Sequence, residues 1–477
     1  MNLSIIIPLV IYLILVFASA LYAYSKRQQG DFLTEYYIGN RTMKGFVLAM
    51  TMAATYIGAS SIIGGPSGAY KYGLGWVLLA MIQVPVLLLV LGVLGKKLAI
   101  ASREHNLITI SDLLLQRYKS KTLVLVASLS LLTALFAGMV VQFIGGARLL
   151  EGTIGINYTQ ALLIFALTVG VYTFIGGFRA VVLTDTIQGS VMILGTLLLL
   201  GGVIYAAGGV ESAVTKLIEI DPDLVTPQGP NDKLGFTFMT SFWVLVCFGI
   251  IGLPQTAIRG FAFKDSKALH RGIVIGTLVV ALVMMTIHLA GALGRAVLPD
   301  LTVPDKVIPT LMLHVLHPVV AGIFLATPMA AIMSTLDSHL LQSSSIFIKD
   351  LYLSINPNAI KDQRKLKLFS TAMTLILTVL VVVMAYNPPD MLIWLNLLAL
   401  GGLESAFLWV LVLGLFWEKA NAHGAITSMI VGVGVYVFFT VTGIKIFEFH
   451  QIVPSLVISL IAFLIGNKFG ENSPHFK

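Results

Sequence analysis

Residues 330–345, AAIMSTLDSHLLQSSS, place six hydroxyls, an Asp, a His and a Gln inside a long apolar stretch. Ala331, Ser334 and Thr335 follow the spacing i, i+3, i+4, which puts them on one face of a helix. Hydroxyls on such a face, joined by backbone carbonyls released where a neighbouring helix breaks, would form a small oxygen cage, the ligand type that hard cations take. A monovalent ion such as Na⁺, held weakly enough to leave again, needs few anionic ligands. The same hydroxyls can instead bond back to the i−4 carbonyl or stitch helices together at modest gain, so spacing alone leaves both readings open. Asp337 lies one turn beyond Ser334. It could relay a departing cation or pair with a basic loop residue, and its charge should face the bundle interior. His339 reads as a helix-packing or interfacial residue.

The elements that must position these groups follow from composition. Of 477 residues, 57% are hydrophobic and only 11% charged, which points to an all-α polytopic membrane protein. Apolar stretches long enough to cross roughly 30 Å of hydrocarbon recur along the chain. About thirteen spans are expected, near 3–24, 43–70, 74–95, 122–147, 156–177, 186–208, 236–257, 272–294, 310–346, 366–386, 391–416, 422–443 and 449–467. The ninth is long enough to tilt or break.

Two spans carry helix breakers. AATYIGASSIIGGPSGAYKYG (53–73) contains Gly58, Gly64, Gly65, Pro66 and Gly68, and CFGIIGLPQ (247–255) contains Gly249, Gly252 and Pro254. Gly costs about 1 kcal/mol in a helix interior and Pro about 3, and in a bilayer the freed backbone groups need other partners. Each break alone also fits the general frequency of Gly and Pro in membrane helices. As a pair, five spans apart, they fit an inverted-repeat transporter with its site near the midplane. This pairs spans 2–6 (about 43–208) with spans 7–11 (about 236–416) in a single transmembrane domain, leaving span 1 and spans 12–13 peripheral.

The net charge of +8 comes from Lys and Arg in short loops between spans, where the positive-inside bias explains it without a nucleic-acid partner. An external N-terminus places Lys26, Arg27, Arg41 and Lys44 inside, then Lys96, Lys97, Arg103, Arg117, Lys119 and Lys121, and later Lys361, Arg364, Lys365 and Lys367. The C-terminus is then cytoplasmic. The first span is too long and too weakly basic at its start for a cleaved signal peptide. The longest connections, near 96–121, 208–235 and 347–366, are too short for a soluble domain, and 208–235 reads as a polar external loop. The single cysteine, Cys247, excludes a disulfide framework. With no P-loop, no metal-spaced His cluster and no His near Cys247, neither an enzyme nor an organic cofactor is expected. A membrane sensor would need an output module, and none is expected after residue 467.

AAIMSTLDSHLLQSSSIFIKDLY (330–352), TFIGGFRAVVLTDTIQGSVM (173–192) and ATYIGASSIIGGP (54–66) resemble signature regions of the sodium/solute symporter family. Its fold is the leucine-transporter-type five-plus-five inverted repeat with broken helices. AYKYGLGWVLLAMIQ, FMTSFWVLVCFGIIGLP, KDSKALHRG, HLAGALGRAVLPDLTVPD and WLNLLALGGLESAFLW extend the resemblance over essentially the whole chain, to the pantothenate-transporting branch. The resemblance implies a sodium site between spans 2 and 9, built from the carbonyls of Ala54, Ile57 and Ala331 and the hydroxyls of Ser334 and Thr335. It likens Asp185, in LTDTIQG, to an acid on the cytoplasmic sodium path, although an Asp there also suits a cap at the start of span 6.

For the solute, the resemblance places Ser61 and Gln83 at contact positions and Asn396 close to one. The residues themselves add Thr240, Ser241 and Trp243 before the second break and Trp394 in span 11. Arg259 is expected as an anchor at the cytoplasmic end of span 7, and Glu404 in a structural role. The activity implied is Na⁺-coupled uptake of pantothenate by alternating access in a bacterial cytoplasmic (inner) membrane, Na⁺ being the coupling ion. The nearest alternative keeps the fold and changes the solute to proline or another small carboxylate.

Overall fold

A computed structural model describes residues 3–25, 38, 41–173, 178–355, 363–389, 391–471 and 473–474. Lys26, Arg27, Lys361 and residues 174–177 of the quoted 173–192 stretch lie outside them. Helices dominate what is described. Eight are long and apolar enough to cross a membrane, or ten if each of two bent pairs counts as one span. Length and apolarity alone do not reach the thirteen expected, since the apolar parts of the first, fifth and tenth spans are shorter.

The helices differ from the expected spans mainly at their ends. Span 3 runs on from Leu74 to Glu104, and span 4 is one helix, Lys121–Ile154. Span 6 is already helical at Phe178, so Asp185 sits at least two turns inside it and cannot be its cap. The ninth span does break: Val307–Val315 ends before Pro318, and the long apolar unit is Pro318–Tyr352. The residue before a proline is driven out of the helical region, and His317 is extended at φ −57°, ψ 139°.

Both interrupted spans bend where the breakers cluster. Gly45–Tyr56 meets Ser60–Tyr72 at 66°, and Phe236–Gly252 meets Pro254–Phe261 at 50°. The hinge residues share one conformation, Ile57 at φ −84°, ψ 91° and Leu253 at φ −84°, ψ 110°. In span 7 the glycines allow close approach to span 11, Leu392–Phe416. A Cβ on Gly252 would lie 2.6 Å from the Leu408 Cα, and one on Gly249 would collide with the Glu404 carboxyl. Near the opposite ends of these spans, Met43 N–H donates to Ala262 O (3.1 Å) and Lys264 N–H to Met43 O (2.9 Å), tying the start of span 2 to the end of span 7.

The connections are more ordered than their polarity suggested. Within 208–235, Val210–Ile220 is a helix with Ala213 and Leu217 buried. Residues after it press on Gly73 and Gly75, where any Cβ would strike the backbone of Leu224 and Pro227. The loop therefore covers the junction of spans 2 and 3. At the other end, basic residues satisfy helix-terminal carbonyls that have no partner within their own helix. Lys97 donates to Leu415 O at 2.9 Å, and the buried Arg117 to Gly414, Trp417 and Glu418 carbonyls.

Candidate functional site

The bend in span 2 frees a donor and an acceptor, and other spans supply the partners. Gln142 of span 4 accepts from Ala59 N–H at 2.8 Å. The Ala54 carbonyl receives the Ser334 hydroxyl at 2.7 Å and the Thr335 hydroxyl at 3.4 Å. Both hydroxyls also reach Ala331 O at 3.1 Å, and Thr335 reaches Thr55 O at 3.3 Å. Four of the five expected cage residues are thus in direct contact. Ile57, the fifth, is buried at the hinge itself. The two readings of the hydroxyls prove compatible: they bond back within span 9 and also bridge to span 2. Turned toward an ion, the same oxygens can act as ligands of a hard cation.

One turn from this cluster lies a charged one. Asp185 accepts from the Thr51 hydroxyl at 2.5 Å and stands 4.0 Å from the Arg259 guanidinium. Arg259 also donates to Thr55 Oγ1 at 2.8 Å and Ser338 Oγ at 2.7 Å. Its side chain is only 3% exposed, which corrects the expectation of an interfacial anchor. The reason is local: the bend at Leu253 turns the last turns of span 7 inward, toward the first half of span 2. Asp337 is also buried on span 9.

A central cavity lies between the two breaks. Ser61, Gln83 and Asn396 line it together, along with Thr335 of the cage. Gln83 accepts from Tyr56 O–H at 2.7 Å, which leaves its NH₂ end available to a solute. Trp76, Gln142, Gln255, Thr256 and His288, which the sequence does not single out, also line it, as does His339, which is expected only to pack between helices or sit at an interface. Gln142 and His288 carry a readable signal, a lone polar group in an apolar helix. On the side of the 208–235 loop, Trp76 stacks on Tyr72 at 5.4 Å and meets Phe242 and Trp394 edge-on at 5.8 and 5.9 Å, closing the cavity with an aromatic cap.

Four expected solute contacts lie elsewhere. Trp243 is 52% exposed, and Thr240 bonds back to Phe236 O at 2.8 Å. Phe236, Thr240 and Trp243 are spaced i, i+4, i+7, so they form the outward stripe of their helix. Trp394 belongs to the aromatic cap and does not line the central cavity. Ser241 is buried and accepts from His450 N–H at 2.9 Å, a tie between spans 7 and 13.

Two broken helices related five spans apart, hydroxyls of a long helix bridging to the first break, and a polar cavity between the breaks define a leucine-transporter-type secondary transporter. A family model for the sodium:solute symporter family matches residues 36–432, and the chain belongs to that family. A sodium/pantothenate symporter of Haemophilus influenzae is 70% identical over 99% of this chain and 97% of its own length. One from Escherichia coli is 60% identical over 99% of this chain and 98% of its own. Among solved structures, a Na⁺-coupled sialic acid symporter in a substrate-bound outward-open state superposes with a TM-score of 0.84 at 18% identity, covering 100% of this chain and 99% of that one. At that identity the likeness speaks for the fold alone.

Proposed function

We propose that the protein is a sodium-coupled symporter that takes up pantothenate by alternating access across a bacterial cytoplasmic membrane, with its N-terminus outside and its C-terminus in the cytoplasm. The observation that carries the solute is the 70% and 60% identity to sodium/pantothenate symporters over nearly the whole chain. Sodium occupies the cage of Ala54, Ile57, Ala331, Ser334 and Thr335 and leaves past Asp185 and Asp337. The repeats are spans 2–6 and 7–11. Sodium and solute enter from outside, the regions around the two breaks close over them, and the Arg259 cluster parts to release them inward. Binding of each helps the other by the same factor, as linkage requires. No covalent step is involved.

Pantothenate is a short rod with a carboxylate, two hydroxyls and one amide. Ser61, Gln83 and Asn396, sharing one cavity, offer hydrogen bonds to its polar groups. Gln83→Ala and Asn396→Ala are expected to weaken solute affinity by about tenfold each, a typical loss for a buried hydrogen bond, and sodium affinity by much less. Titrations of both ligands on the purified variants check this, and a larger loss on sodium would remove the assignment.

The reading as a whole is tested by uptake of labelled pantothenate into proteoliposomes, under an inward Na⁺ gradient and a matched K⁺ gradient. Uptake with Na⁺ only, blocked by excess unlabelled pantothenate and untouched by proline, is the expected result. Competition by proline instead would keep the family and change the solute.

A further inference from the structure

We propose that His339 is a specificity-determining residue: its Nε2–H donates to the solute carboxylate beside the sodium cage. The inference rests on the pantothenate reading above and deepens it. A carboxylate entering a membrane-embedded cavity needs a donor or a cation to meet it, because its charge is costly there otherwise. Among the described residues no Lys or Arg lines the central cavity, and the only basic side chains that do are His288 and His339. Arg259 is engaged below the cage by Thr55, Ser338 and Asp185.

The two histidines differ in what they can offer. His288 Nδ1 lies 2.7 Å from Met284 O; a carbonyl only accepts, so this nitrogen carries the proton. The neutral ring then leaves His288 Nε2 as an acceptor, the wrong polarity for a carboxylate. His339 is arranged the other way round. Its ring is seated on Gly138 of span 4, where a Cβ would lie 2.6 Å from Cε1 and 2.9 Å from Nδ1. Nδ1 is sealed there without a hydrogen-bond partner. A proton on that nitrogen would be an orphaned buried donor, which proteins rarely tolerate. The neutral ring then carries its proton on Nε2, and the residue lines the cavity.

Position ties this donor to coupling. His339 follows Thr335 by four residues on the same helix, so the two side chains stack on one face, and both line the cavity. A carboxylate held by Nε2–H lies next to the cage, where an ion at Thr335 attracts it. Gly138 has no side chain to displace the ring, and this position is the reason that a histidine fits.

The test compares pantothenate with its alcohol analogue, in which CH₂OH replaces the carboxylate, as ligands of the purified full-length protein in Na⁺. In the wild type the acid binds more tightly than the alcohol. His339→Ala is expected to weaken acid binding by about tenfold or more, the usual worth of a hydrogen bond to a charged group, and to leave the alcohol within about twofold. His339→Gln, which keeps an N–H donor, should retain most of the preference. The ratio of the two affinities is internal to each sample, so a fall in folded fraction does not move it. An unchanged ratio in His339→Ala, or an equal loss on both ligands, overturns the assignment while the solute reading stands. A folded wild type that binds no pantothenate in Na⁺ overturns both.

Discussion

The double variant Ser334→Ala, Thr335→Ala is expected to fold and insert yet lose sodium-dependent uptake. Both hydroxyls meet the Ala54 carbonyl, at 2.7 and 3.4 Å. Their removal strips two oxygens from the proposed cage and leaves that carbonyl short of partners at the bend. An unsatisfied buried acceptor costs about 1–3 kcal/mol. Domains are typically stable by about 5–15 kcal/mol, so the fold survives the change. The ion does not, because the remaining carbonyls no longer surround it. Thr335→Ser keeps an oxygen in place and should retain coupling at reduced sodium affinity. Uptake at varied Na⁺, with thermal stability measured in detergent, separates loss of the cage from loss of the protein. Sodium dependence undiminished in the double variant would remove the cage.

What was legible in the sequence was whatever depends on local chemistry. Breakers clustered in spans 2 and 7 mark bends of 66° and 50°, since Gly and Pro act on their own backbone wherever they stand. The i, i+3, i+4 hydroxyl face on span 9 holds because helix geometry alone sets it. What was not legible depends on direction in space. Trp243 and Phe242 are neighbours in sequence, about 100° apart around a helix, and only Phe242 reaches the cavity. Nothing local says which of the two faces inward. The places of Gln142 and His288 were not legible for a related reason: the Ala59 N–H that donates to Gln142 and the close seat of the His288 ring on Gly65 exist only once span 2 has bent. The cap reading of Asp185 depends on a span beginning near 186, and apolarity alone does not show that the helix already runs from Phe178.

Arg259 is the position where direction matters most, and its substitution carries the second large effect. The guanidinium holds Thr55 of span 2 and Ser338 of span 9 at 2.8 and 2.7 Å, with Asp185 of span 6 at 4.0 Å. It therefore links four spans just below the proposed cage, on the route by which sodium would leave. Arg259→Gln removes the positive charge and leaves the buried Asp185, which accepts from the Thr51 hydroxyl, without its cationic partner. Breaking a buried pair from one side typically costs about 3–5 kcal/mol, far more than replacing both partners with neutral ones. Arg259→Gln should therefore lower thermal stability sharply, whereas Arg259→Gln with Asp185→Asn should recover most of it. Coupled uptake is expected to stay at least tenfold down in both, because the neutral pair no longer closes the exit in an ion-dependent way. A double-mutant cycle reads the coupling between the two sites directly. Additive losses of stability would mean that Arg259 and Asp185 do not act as a pair, and the separation of 4.0 Å would then mark the hydroxyls of Thr55 and Ser338 as its working partners.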